Sequence, residues 1–135
     1  MNKIYSKIDS AVLLATVLVP LEEVGRLDSA GADEILQVST MRFAKNKILK
    51  SHKHLPTVRN TVGTQESWVV ISGKLIVNIF DIDSTLVTTV ELTDGNCMTL
   101  YNGGHSFEVV SDGAVMYEIK NGPYYGTKFD TQHID

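Results

Sequence analysis

The sequence predicts an all-β fold in one domain, and three observations carry that reading. Turn signals recur about every ten residues in the second half: Ser72-Gly73, Asp81-Ile82-Asp83-Ser84, Asp94-Gly95, Asn102-Gly103-Gly104, Asp112-Gly113 and Asn121-Gly122-Pro123. Short runs rich in β-branched and apolar residues lie between them, a spacing that fits a sandwich or barrel. Helical periodicity has little room, and 135 residues make one core.

In chain order, residues 11–19 (AVLLATVLV) come first. With Lys3 and Lys7 upstream they resemble the apolar stretch of a signal peptide. They are too short to span a bilayer. Pro20-Leu21-Glu22-Glu23 follows directly, without a small-x-small cleavage site, so the run reads as a buried strand of a cytoplasmic protein. Residues 12–19 are apolar on both alternating faces, whereas a strand with one wet face would alternate. The second face is therefore assigned to a partner subunit, giving a homodimer. The intrachain alternative is that residues 20–32 fold back over it. One helical turn fits within 21–32, weakened by Gly25 and Gly31. Strands are predicted over 35–44, 68–72, 74–80, 85–92, 97–101, 105–110 and 114–120. The tail, 127–135, is polar. A single domain results, with N-terminal strands in 1–44, a core in 45–122 and a polar end in 123–135.

Composition narrows the function. Hydrophobic residues make up 43% and charged residues 21%, which argues against disorder. The net charge of −4, with no basic block apparent, argues against nucleic acid or an anionic membrane as partner. Cys97 is the only cysteine, so an intrachain disulfide and a multi-cysteine zinc site are excluded. It sits in the apolar run Cys97-Met98-Thr99-Leu100-Tyr101, as a core residue would. No Gly-x-Gly-x-x-Gly, Gly-x-Ser-x-Gly or P-loop pattern is present.

The histidines carry the chemistry. His52 and His54 are separated by one residue, and on a strand such positions share a face. Two adjacent imidazoles suit chelation of a divalent metal. Glu66 opens a later strand that Gly73 closes, and His105 follows Gly103-Gly104. Three imidazoles and a carboxylate suit Fe, Mn, Ni, Zn or Cu, with positions left open for substrate. If Glu66 faces inward, alternation puts Trp68 and Val70 inward with it and Gln65, Ser67 and Val69 outward, and an inward Trp-Val pair suits the place under a ligand. Glu66 is therefore preferred to Gln65 as the ligand.

The pattern His52-Lys53-His54 … Glu66-Ser67-Trp68-Val69-Val70-Ile71-Ser72-Gly73, then Asp94-Gly95 … Asn102-Gly103-Gly104-His105, resembles the two motifs of the cupin superfamily. The resemblance covers roughly residues 34 to 122. It departs from the family in two places: eleven residues separate His54 from Glu66 where three or four are usual, and the second motif is reduced to Asn102-Gly103-Gly104-His105. The strings Gly63-Thr64-Gln65-Glu66, Gly103-Gly104-His105 and Glu118-Ile119-Lys120-Asn121-Gly122-Pro123-Tyr124 are similar to small cupins of bacterial surface-polysaccharide gene clusters. The resemblance implies a double-stranded β-helix, or jelly-roll barrel, and one divalent metal held by His52, His54, Glu66 and His105.

Arg59, and Arg42 behind it, are candidates for holding a carboxylate or phosphate. Trp68 is a candidate for stacking on a sugar, while Tyr101, Tyr117 and Glu118 are candidate acids or donors. The functions left open are an isomerase or epimerase acting on a sugar or nucleotide sugar, a non-haem metal oxygenase, and a sugar-binding cupin without catalysis. Metal-free epimerases of the same fold, with a His base and a Tyr acid, are a further alternative.

Overall fold

The computed structural model describes residues 1–134, and the fold is all-β. The strands are β1 (Asn2–Tyr5), β2 (Leu13–Leu18), β3 (Gly25–Asp28), β4 (Ser39–Arg42), β5 (Glu66–Ser72), β6 (Leu75–Phe80), β7 (Leu86–Leu92), β8 (Cys97–Leu100), β9 (Gly104–Val109) and β10 (Val115–Lys120). One helical turn, α1 (Thr127–Asp130), follows. The strands form antiparallel sheets: β1-β2-β8-β5-β10, β7-β6-β9, and the pair β3-β4. These sheets do not close into a barrel.

The two larger sheets share one core, to which the first gives Ile4, Ala15, Val17, Trp68, Val70, Met98 and Leu100, and the second gives Leu75, Val77, Ile79 and Leu92. Strand β6 shows the cause most simply. Its buried and half-buried residues alternate from Leu75 to Phe80, as the two-residue period of a strand requires.

The β3-β4 pair replaces the helical turn expected within 21–32. Residues Gly25 to Asp28 pair with Arg42 to Ser39 in register, so ladder bonds override the weak helical tendency of this stretch. This excursion also answers why β2 is apolar on both faces. Ala15 and Val17 join the core, while Thr16 and Leu18 are buried on the other face. There, residues 36–41 lie opposite Leu18, Ser67, Val69 and Cys97 across a groove of about 550 Å³.

Two polar hooks hold the excursion down. The Ser29 and Tyr101 hydroxyls are 2.6 Å apart and buried. The Gln65 carboxamide accepts from the Leu36 N–H at 2.9 Å and donates to Glu34 at 2.6 Å. Chain from the same molecule therefore covers the face that the sequence assigned to a partner, mainly through residues beyond 20–32. Residues 43–65 contain no strand or helix, and 43–64 are exposed. No helix among the described residues is long and apolar enough to cross a membrane.

Candidate functional site

Antiparallel partners point to the same side of a sheet, so strand registers locate the site. In the five-stranded sheet one row runs Ala15, Leu100, Glu66, Lys120, and the next runs Val17, Met98, Trp68, Glu118. In the facing sheet Ile79 pairs with His105 and Val77 with Phe107. The apolar core thus ends, over one strand step, in a polar rim of Glu66, His105, Glu118 and Lys120.

The rim is closely connected. The His105 Nε2 lies 3.5 Å from the Glu66 carboxylate. Lys120 lies 3.5 Å from the other Glu66 oxygen and 3.2 Å from Glu118. The Trp68 indole N–H points to Glu118 at 3.4 Å. Its ring packs against His105, centroid to centroid 4.6 Å, and edge-on to Phe107 at 4.8 Å. Lys120 also sits 4.6 Å from the centre of the Tyr124 ring.

Burial lowers the His105 pKa below its ordinary value. Glu66 and Glu118 pull it up and Lys120 pushes it down, and burial prevails. The imidazole is therefore neutral at pH 7, the form that accepts a proton or binds a metal. Hydrogen bonding from Lys120 holds the Glu118 carboxyl below its usual range, against partial desolvation.

Glu66 and His105 open onto a cavity of about 690 Å³, whose walls include Thr64, Phe80, Ser106 and the C-terminal residues 130–134. That volume suits a drug-sized or sugar-sized ligand. The Gly103-Gly104 turn makes this end of the cavity possible. Gly103 has a positive φ of 74°, and a Cβ there would run into the Phe80 carbonyl.

Of the four residues assigned to the metal, the structure brings Glu66 and His105 together. His52 and His54 lie in the exposed 43–65 segment with their rings 5.4 Å apart, and the His52 ring is 3.1 Å from the Lys50 carbonyl. Among the described residues, no group of three or more His, Cys, Asp or Glu is placed to hold a metal ion. The donor set therefore fits a metal by halves, one on the cavity wall and one outside it.

The other candidates divide in the same way. Glu118 belongs to the rim. Trp68 has no exposed surface, so it forms the floor under His105 and offers no face for a sugar. Tyr101 is sealed by Ser29, and Tyr117 pairs with Val69 on the opposite side of the sheet from Glu118. Arg59 is exposed in its own loop, near the Thr57 carbonyl. Arg42 is tied to the Leu21 carbonyl. Gln65 points away from the site, to Glu34 and Leu36. Burial pushes the Cys97 thiol up, leaving it protonated and unreactive.

Two features escaped the sequence reading. Lys120 and His133 belong to the site, one on the rim and the other on the cavity wall. No short-range pattern marks either of them. The net charge of −4 also hides a basic block: residues 35–65 hold six of the twelve Lys and Arg and none of the sixteen Asp and Glu.

A scan of protein-family models, a search of curated proteins and a search of solved structures each find no match to this chain.

Proposed function

We propose that this chain is a small metal-binding cupin that moves a proton beside the carbonyl of a sugar or nucleotide sugar, as an isomerase or epimerase of surface-polysaccharide metabolism. The observation that carries the reading is the neutral His105 imidazole beside the Glu66 carboxylate on the wall of a sugar-sized cavity. His105 accepts the proton from the carbon next to the carbonyl. Glu66 stabilises the imidazolium that forms, its proton exchanges with solvent, and a proton returns to a neighbouring carbon or to the same one. Lys120 keeps Glu118 ionised through this exchange.

The cationic 35–65 segment, with Arg59 in it, supports a phosphate-bearing substrate over a neutral sugar. One divalent metal, Fe, Mn, Ni or Zn, would be held, in place of this proton relay, by Glu66 and His105 together with His52 and His54, with Glu118 then the base because a ligating imidazole has no free lone pair. It would supply Lewis-acid polarisation of the carbonyl. The free edge of β9 offers the 43–65 segment a strand to pair with, which would complete the jelly roll and bring the second pair of imidazoles beside His105. A homodimer fits best at β10, one of the two edges of the five-stranded sheet, where Val115, Tyr117 and Ile119 are exposed.

The test is deuterium uptake from heavy water into a panel of hexose phosphates and nucleotide sugars, read by mass spectrometry. Elemental analysis and oxygen consumption accompany it. Wild type should exchange carbon-bound hydrogen in at least one member, and His105→Gln should lose about 100-fold or more of that rate. Undiminished exchange in His105→Gln, or oxygen consumption in place of exchange, overturns the proposal.

A further inference from the structure

The C-terminal residues look like a polar tail in the sequence, yet they occupy a specific place. After α1, whose start is marked by Gly126 and its positive φ of 102°, the chain turns back. Residues 130–134 then form one wall of the cavity that Glu66 and His105 line from the other elements. The contact that fixes this wall is at Gly104, the residue just before His105. A Cβ built on Gly104 would collide with the Ile134 side chain, so Ile134 fills the space that any other residue at 104 would occupy. The Phe80 side chain flanks the same spot. Ile134 is half-buried, while His133 beside it is exposed at the cavity rim.

From this packing we infer that residues 130–134 are a lid on the Glu66–His105 cavity, and that Ile134 is the positioning residue that seats the lid on Gly104. The inference rests on the cavity being the functional site. It adds that the seated Ile134 narrows the approach to His105, whose side chain keeps 27% of its surface exposed, and that release of Ile134 widens it. The seat is small, one aliphatic side chain against a glycine and a phenylalanine. Its release costs little, because Ile134 is only half-buried there. Such an opening is within reach of a ligand's binding energy.

The test reads His105 directly and needs no substrate. Diethyl pyrocarbonate modifies neutral imidazoles, and peptide mass spectrometry resolves each histidine. An imidazole of ordinary pKa is mostly neutral at pH 7.5, so a slow rate there reports shielding. In wild type, His105 should react more slowly than the exposed His52 and His54. Ile134→Ser should raise the His105 rate threefold or more while leaving His52 and His54 unchanged. Ile134→Leu, which keeps an apolar δ-methyl for the seat at Gly104, should stay within a factor of two of wild type. A chain ending at Thr131 should match Ile134→Ser, and circular dichroism of each variant checks that the sheets persist. Equal His105 rates in the Ser, Leu and truncated forms overturn the lid. This outcome is separable from failure of the proposed function: no deuterium exchange with a shielded His105 removes the reaction and keeps the lid, whereas exchange with an unshielded His105 does the reverse.

Discussion

His105 is where burial and charge compete most openly. Its pKa is lowered in the folded chain and returns to the ordinary 6.5 on unfolding. The unfolded state thus binds more protons at mildly acid pH. The contribution of His105 to stability is complete above 6.5 and is lost as pH falls through the folded value. Urea unfolding between about pH 5 and pH 8 should show stability falling toward acid, with a shallower fall in His105→Gln. Identical slopes would mean that the ring is not held neutral by its surroundings. Tyr101 makes a second case. Its hydroxyl is bonded to Ser29, 72 residues earlier in the chain, and both residues are buried. Tyr101→Phe leaves the Ser29 hydroxyl dry and without that partner, so a loss of about 1–3 kcal/mol is expected in the same assay. A neutral result would show that water reaches the pair.

The strands of the second half were legible because their turns carry Gly, Asn and Asp at about ten-residue intervals and their apolar residues alternate. The same alternation put Glu66 and Trp68 on the inner face and Gln65 on the outer one, as the structure has them. The N-terminal half was less legible. Strand β3 reads Gly-Arg-Leu-Asp, without an apolar face, and exists through its pairing with β4. The depth of Trp68 was also hidden, since alternation assigns a face but not a distance from the open end of the sandwich. Burial of both faces of β2 was foreseen, although its source is the chain's own excursion. That cover leaves a mark on the element: the Thr16 hydroxyl is buried with no hydrogen-bond partner among the described residues. Thr16→Val should therefore raise stability by about 1 kcal/mol, because it removes an unmet polar group at nearly constant shape. A destabilised variant would place an ordered water at that hydroxyl.

At the scale of the whole molecule, charge is divided between a cationic 35–65 segment and an acidic remainder with six Lys and Arg against sixteen Asp and Glu. Net charge conceals this because it averages over position. Assembly is the companion question. With β2 covered, a dimer is expected at the β10 edge, so Tyr117→Lys combined with Ile119→Lys should yield a monomer mass by light scattering at micromolar concentration. Val17→Asp, by contrast, should unfold the chain, since Val17 is core. A dimer that survives the two β10 changes moves the interface elsewhere.

The molecule also carries a single tryptophan, and it lies directly beneath the candidate base. Indole fluorescence of the entire protein thus originates within 5 Å of His105, with no second indole to dilute it. Protonation of that imidazole, or arrival of any compound above it, will alter one optical signal. Libraries of sugars and metal salts can accordingly be screened by emission alone, before any reaction has been assigned.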